Sequence, residues 1–153
     1  MVIVIVVALS YTAIQVFRPR EVQSINLAER FRDDVRHAQM LAVNWGRPLR
    51  LTVTATDYSV ACVTAGAAPC DFSPVFDPNT GQAFSFSLVS PPPGTLQQGF
   101  TIAGPASVDF DALGRPRTGA GALITANSDY TISGGAVARV VRVAPITGFA
   151  SLQ

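Results

Sequence analysis

The chain has 153 residues, which is enough for one domain but too few for two well-packed cores. Only 14% of the residues are charged and the formal net charge is +1, so the overall field does not indicate a nucleic-acid-binding protein. The 11 prolines and 12 glycines are typical of a domain in which many turns connect short strands.

Residues 1–17 form an apolar segment, and no acidic, basic or amide side chain interrupts residues 1–14. As a helix rising about 1.5 Å per residue, this segment would cover about 25 Å, slightly less than a bilayer core of about 30 Å. A secretory signal peptide is disfavoured, because no basic stretch precedes the run and no small-residue cleavage site follows it. A plain membrane anchor and a buried core element remain as interpretations, and Arg18 and Arg20 lie where they could reach lipid headgroups. The main apolar positions are Val2, Ile3, Val4, Ile5, Val6, Val7, Leu9 and Ile14.

After Pro19 the pattern predicts an amphipathic helix over about residues 21–45. One face is polar, and Gly46 and Pro48 provide a stop. The apolar face is predicted to consist of Val22, Ile25, Ala28, Phe31, Val35, Ala38, Ala42 and Trp45.

The remaining residues, about 49–153, show the alternation of short strands. Residues 49–55 predict a half-buried strand and residues 58–63 its hairpin partner. Further strands are predicted near residues 84–88, 100–102, 108–110, 130–132 and 137–143, with a rigid connector at 91–94. One long helix followed by a run of strands predicts an α+β domain and not an α/β one.

Cys62 and Cys70 are the only cysteines, eight positions apart across a turn-rich stretch. This spacing favours a disulfide, which requires an oxidising compartment such as the periplasm. Two unrelated buried thiols are the alternative. Zinc is disfavoured because His37 is the only histidine and no Cys-x-x-Cys spacing exists.

No residue pattern predicts catalysis. His37 is interpreted as an exposed or cap-adjacent helix residue, and with Asp33 it supplies only two candidate metal ligands. Asp109 and Asp111 share one face of a strand, a spacing that glycosidases could use, but they are interpreted as the solvated side of an amphipathic strand. We therefore expect no catalytic residues, no cofactor and no metal.

The apolar segment resembles a known family. Residues 1–7, Met-Val-Ile-Val-Ile-Val-Val, resemble the middle of the N-terminal helix of type IV pilins and type II secretion pseudopilins. In that family a short basic leader and a glutamate precede such a run. We therefore expect the leader, its processing site and the glutamate to lie upstream of Met1.

Three later stretches resemble the GspH/FimT type of minor pilin. Residues 30–48, with a strand directly behind them, resemble its entry from helix to strand. Residues 110–117, Phe-Asp-Ala-Leu-Gly-Arg-Pro-Arg, resemble its strand followed by a glycine-arginine turn. Residues 142–149, Arg-Val-Ala-Pro-Ile-Thr-Gly-Phe, resemble its closing strands. Minor pilins of mannose-sensitive haemagglutinin-type pili share this layout.

The resemblance implies a pilus or pseudopilus subunit and not an enzyme. Residues 1–17 would form the membrane and filament-core helix, and residues 18–153 a pilin-like globular domain. Such a subunit is held in the bacterial inner membrane with its domain in the periplasm. It then joins a filament by packing its helix against other pilins or pseudopilins, and has no small-molecule substrate. A membrane-tethered periplasmic binding domain or enzyme is the alternative from another class.

Arg115 and Arg117 flank Pro116 and form a candidate DNA-binding site. The stretch from Gly114 to Arg117 matches the glycine-arginine-x-arginine pattern of FimT-like pilins that bind DNA during natural transformation. Two arginines can hold adjacent phosphates and give weak, salt-sensitive binding. The alternative is that both arginines are merely solvated or paired with Asp109 or Asp111.

Overall fold

The structure is a computed structural model that describes residues 19–89 and 99–153. Helix α1 spans Pro19–Trp45. The strands that follow it are β1 (Leu49–Val53), β2 (Asp57–Cys62), β3 (Ser85–Ser87), β4 (Thr101–Ala103), β5 (Ser107–Phe110), β6 (Pro116–Arg117), β7 (Ser128–Ser133), β8 (Arg139–Val143) and β9 (Ala150–Leu152).

Helix α1 ends in a hydrogen-bonded glycine cap. Gly46 has φ +62°, and its N–H donates to Val43 O at 3.2 Å. The Arg47 N–H donates to Ala42 O at 3.1 Å, which completes a Schellman motif and satisfies carbonyls at the helix end. The predicted stop at Gly46 is confirmed, because a residue without a Cβ adopts this left-handed conformation at little cost.

The face of α1 that packs on the sheets is fully or almost fully buried. Val22 was predicted to lie on this face, and that prediction is wrong because its side chain is 58% exposed. Leu27 and Leu41 take core positions that the predicted stripe did not include. The buried apolar residues of the helix are Leu27, Ala28, Phe31, Val35, Ala38, Leu41 and Ala42.

The strands form two antiparallel sheets. The five-stranded sheet has the order β3-β2-β1-β5-β6, and the four-stranded sheet has the order β4-β7-β8-β9. Helix α1 contacts strands of both sheets, so the core lies between the helix and the two sheets. The predicted α+β class is confirmed.

Phe31 of α1 connects the two sheets at the centre of the core. Its ring meets Tyr58 of β2 edge-on at a centroid distance of 5.1 Å, and Tyr130 of β7 edge-on at 5.2 Å. All three side chains are buried. Edge-to-face aromatic pairs at such distances add roughly 0.5–1.5 kcal/mol each beyond the area they bury, so this trio fixes both sheets to the helix.

Gln39 makes a second connection between the sheets. Its Nε2 donates to Gly114 O at 2.7 Å, in the turn between β5 and β6, and to Thr147 O at 2.6 Å, in the turn between β8 and β9. A Cβ at Gly148 would lie 2.7 Å from Gly114 O, so the two turns touch. One amide of the helix therefore joins the loops of two different sheets.

Candidate functional site

The turn that carries Arg115 is organised by Asp111. Oδ1 of Asp111 accepts the backbone N–H of Leu113 at 3.0 Å and that of Arg115 at 2.9 Å. Gly114 has φ +76°, and its N–H donates to Asp111 O at 2.8 Å. An aspartate that caps its own turn, followed by glycine at the left-handed position, is the local reason why the chain reverses here.

Both candidate arginines bind the other oxygen of the same carboxylate. The Nε atoms of Arg115 and Arg117 each lie 2.9 Å from Asp111 Oδ2. Arg117 also donates through Nη1 to Gly121 O at 2.8 Å. The side chains of Arg115 and Arg117 are 39% and 31% exposed, whereas the Asp111 side chain is 13% exposed. The structure thus brings Arg115 and Arg117 together, and it pairs both with Asp111.

Two opposing influences act on the pKa of Asp111. Burial by itself would raise the pKa of this carboxyl. Hydrogen bonds from the backbone of Arg115 and Leu113 and from the two guanidinium groups outweigh burial, so its pKa lies below the ordinary value. The carboxylate is therefore ionised at neutral pH and cancels one of the two positive charges.

A further ion pair adjoins this site on the outer face of the five-stranded sheet. Arg50 binds Asp109 through two parallel contacts, Nε to Oδ1 and Nη2 to Oδ2, each 2.7 Å long. Asp109 is the register partner of Arg50 on one side and of Arg117 on the other. The cluster therefore alternates in charge and holds three arginines and two aspartates.

Asp109 and Asp111 were predicted to be solvated, and this prediction is wrong. Their side chains are only 6% and 13% exposed. The Asp109 carboxylate is paired with Arg50, and the segment between β6 and β7 contacts that arginine, because Gly119 O accepts a hydrogen bond from Arg50 Nη2 at 3.3 Å. The alternation of residues along one strand does not predict these contacts. Arg50 also belongs to this cluster but was not among the predicted site residues. In the sequence, only its charge on the polar side of β1 indicates such a role.

The chemistry available to this cluster is recognition of an anion. Three guanidinium groups against two carboxylates leave a local charge of +1. The Nε atoms are committed to carboxylates, whereas Arg115 and Arg117 remain about one-third exposed. Exposed guanidinium nitrogens can donate to a phosphate oxygen, but a single net charge supports only weak binding.

His37 is not the exposed residue that was expected. Its side chain is 18% exposed, and its Nε2 lies 3.5 Å from Asp77 Oδ1. The ring of Phe84 covers it at a centroid distance of 5.4 Å. The long loop between β2 and β3 folds back on the helix and buries it. Across the described ranges, no three His, Cys, Asp or Glu side chains converge as metal ligands would.

That loop is also where the two cysteines meet. Cys62 and Cys70 form a disulfide with their Cα atoms 5.6 Å apart. Cys70 is buried, and its backbone joins Gly66 and Ala67 in hydrogen bonds across the closed loop. The bond therefore fixes the beginning of the loop to the end of β2.

The apolar positions predicted for the membrane and filament helix, from Val2 to Ile14, lie outside the described residues. Within residues 19–89 and 99–153, no helix combines the length and apolar character needed to span a bilayer.

Comparison with known proteins gives a structural match. No protein-family profile matches the chain, and no curated protein does. The type IV minor pilin FimU of Pseudomonas aeruginosa matches with a TM-score of 0.54 at 13% identity, over 82% of this chain and 89% of FimU. The chain has the fold of a type IV minor pilin. A second crystal form of FimU gives a TM-score of 0.52, with 87% of this chain and 90% of FimU covered, again at 13% identity.

The three stretches that resemble the GspH/FimT type can be located in this fold. The resemblance to the GspH/FimT type, inferred from residues 30–48, 110–117 and 142–149, is supported by this match. Those stretches occupy α1 with the entry to β1, the Asp111 turn, and the turn clamped by Gln39. In this pilin fold the candidate arginines lie on the outer face of the five-stranded sheet.

Proposed function

We propose that the protein is a minor pilin or pseudopilin, a structural and assembly subunit of a type IV pilus or of a type II secretion pseudopilus. The observation that carries this proposal is the fold, in which one helix packs across two antiparallel sheets as in FimU. The apolar residues 1–17 precede this helix directly in the sequence. They are suited to lie first in the bacterial inner membrane, with the domain in the periplasm, and then among the helices of other pilins in a filament.

A fractionation experiment in the encoding bacterium tests this function. The tagged full chain is expected in the filament fraction released by shearing, and deletion of the gene is expected to reduce the number of filaments. Ile5→Asp should abolish incorporation, because a carboxylate is costly in an apolar helix bundle. Leu113→Asp is the matched control, since Leu113 is 71% exposed on the domain. A protein that never enters filaments, with filament number unchanged in its absence, would instead be a tethered periplasmic binding domain or enzyme.

A second candidate function on the same scaffold is DNA binding through Arg115 and Arg117. Its support is the excess of one positive charge in the cluster and the partial exposure of both arginine side chains. Binding would be independent of sequence and would weaken steeply with salt. The shared carboxylate of Asp111 opposes it.

Three variants test the DNA function. Arg115→Gln with Arg117→Gln should remove retention of single-stranded DNA, whereas Arg142→Gln, an arginine of the other sheet, should not. Asp111→Asn keeps an oxygen for the turn but removes one negative charge, so it should tighten binding. Retention that is equal in all of these variants would contradict a role for this cluster.

A further inference from the structure

The start of α1 lies against the loop between β7 and β8. A Cβ at Gly135 would be 3.1 Å from Ser24 Oγ and 3.3 Å from the carbonyl oxygen of Arg20. Arg139 Nη2, at the end of the loop, is 3.8 Å from Glu21 Oε1. These contacts bring one hairpin of the four-stranded sheet beside the first turn of the helix. We name Arg20, Val22, Val137 and Arg139 the helix-start surface.

Two apolar side chains of the helix-start surface are exposed. Val22 is 58% exposed and Val137 is 48% exposed. The loop that carries Val137, residues 134–138, has the uncharged sequence Gly-Gly-Ala-Val-Ala. About half of each valine side chain faces solvent, so this exposed apolar area can contact an apolar environment outside the domain.

The charge of the helix-start surface is basic. Arg20 is exposed, and Arg139 is 26% exposed. Glu21, which follows Arg20 in the chain, is paired with Arg139, so these three charged groups leave a local charge of +1. Apolar side chains beside arginines are the composition that suits the boundary between lipid acyl chains and anionic headgroups, because valine can enter the apolar layer while guanidinium groups bind phosphates.

The position of residues 1–17, directly before α1, indicates what the helix-start surface would face. Residues 1–17 lead directly into Arg18 and the first turn of α1. If those residues lie in a bilayer, the start of α1 is within a few residues of the headgroup layer. The helix-start surface would then face lipid. The opposite end of α1 is far away, since 24 residues separate position 19 from position 43 and a helix rises about 1.5 Å per residue, about 36 Å in total.

We propose that the helix-start surface docks the domain on an anionic lipid surface before the subunit enters a filament. This inference rests on the proposed membrane-anchored subunit. The occupant is the headgroup layer of the inner membrane. Val22 and Val137 insert at its edge, and Arg20 and Arg139 bind lipid phosphates. Docking would hold the domain in one orientation on the membrane.

A single reporter thiol in the full chain measures this docking. Cys62 and Cys70 are bonded to each other, so a new cysteine can be labelled alone. Val137→Cys and Val43→Cys carry the same environment-sensitive fluorophore in vesicles of phosphatidylcholine with phosphatidylglycerol. The two positions are matched, because each valine is 48% exposed. We expect a blue-shifted emission and quenching by spin-labelled lipid at position 137 and neither at position 43.

Charge variants test whether the surface binds anionic lipid or only lies near the bilayer. Arg20→Gln should reduce the quenching at position 137, whereas Arg47→Gln, an exposed arginine beyond the other end of α1, should leave it unchanged. Quenching should also fall in vesicles of phosphatidylcholine alone and at about 1 M salt, where the screening length is about 3 Å. Equal quenching in both arginine variants and both vesicle types would overturn the proposal.

The outcome also distinguishes this inference from the function on which it rests. If the full chain inserts into the vesicles but the label at position 137 stays in water, the docking proposal is wrong and the anchored subunit stands. If the full chain does not insert at all, the membrane-anchored subunit is itself wrong. A label that is shielded at position 137 without quenching by lipid would indicate a protein contact and would also overturn the docking proposal.

Discussion

The two sheets carry nearly identical ion pairs in different surroundings. In the five-stranded sheet, Arg50 binds Asp109 through two contacts of 2.7 Å. In the four-stranded sheet, Arg142 binds Asp129 through two contacts of 2.8 Å. Both pairs join register partners on adjacent antiparallel strands. The Asp109 side chain is 6% exposed, whereas that of Asp129 is 40% exposed.

Because the two pairs have almost the same geometry, a difference in their energies would reflect the difference in burial. Two pairs with the same atoms and almost the same distances are expected to differ in energy, because water competes for an exposed pair and a buried carboxylate has lost its hydration. The segment between β6 and β7 contacts the Asp109 pair through a hydrogen bond from Arg50 Nη2 to Gly119 O. Among the residues that the structure describes, no such hydrogen bond from a loop reaches the Asp129 pair.

The largest expected effect comes from removing one arginine of each pair. Arg50→Ala should lower the free energy of unfolding by about 3 kcal/mol, because it leaves the Asp109 carboxylate buried without its partner. Arg142→Ala should lower it far less, because water competes for this exposed pair. Urea unfolding followed by circular dichroism measures both. Equal losses would show that burial does not decide the energies of these pairs.

The disulfide gives a second contrast between the sheets. Replacing both Cys62 and Cys70 by alanine should lower the free energy of unfolding by about 2–3 kcal/mol, because the short loop is then free in the unfolded chain. The native-state effect should be local to the end of β2 and the loop behind it. Urea unfolding measures the loss of stability, and hydrogen exchange measures its location. Exchange in β7 and β8 that is faster than the loss of global stability accounts for would contradict this localisation.

Gln39→Ala should weaken the connection between the two sheets. Both of its hydrogen bonds to turn carbonyls are lost, which should cost about 1–2 kcal/mol. Met40→Ala is the control, because Met40 is the next residue and is 50% exposed. We expect its effect to stay within about 0.5 kcal/mol. Equal costs in the two variants, measured by urea unfolding, would mean that the clamp contributes nothing.

The smallest expected effect is a difference in the sign of pH dependence. The hydrogen bond from Arg142 lowers the pKa of Asp129, so the stability that this pair adds is present above about pH 4 and is lost as the pH falls further. The cost of Asp129→Asn, below about 1 kcal/mol at neutral pH, should therefore vanish in acid.

Asp34 should behave in the opposite way. Burial raises its pKa, although a hydrogen bond from Tyr58 and the charge of Arg30 lower it in part. Its folded state binds a proton more readily than the unfolded chain, so stability falls as the pH rises from about 4 through the folded-state pKa. The cost of Asp34→Asn should be greatest in acid and shrink toward neutral pH. Matching pH profiles for the two asparagine variants would contradict these assignments.

The parts of the fold that depend on local pattern could be predicted from the sequence. The apolar stripe of α1, the stop at Gly46 and the β1–β2 hairpin follow from periodicity and turn chemistry. The prediction failed for Val22 and His37. Helical spacing gives the position of a side chain on the helix but does not tell how far the sheets extend or where a long loop folds back.

The sequence gives two alternatives for Arg115 and Arg117, either free for phosphates or solvated and paired with Asp109 or Asp111. The structure pairs both arginines with Asp111, and their binding of DNA stays a prediction. An aspartate three residues before a glycine is typical of a turn, so the backbone hydrogen bonds of Asp111 could be predicted. Its simultaneous contact with two arginines depends on the pairing of β5 with β6, a strand of two residues that alternation cannot reveal.

The clamp formed by Gln39 has a mechanical consequence. A pull applied along α1 reaches the five-stranded sheet through Gly114 and the four-stranded sheet through Thr147, at the same side chain. Phe31 distributes the load in the same way near the middle of the helix. Force on one sheet is therefore shared with the other sheet at these two side chains. We expect a stretched molecule to rupture in one step, as a single force-bearing unit.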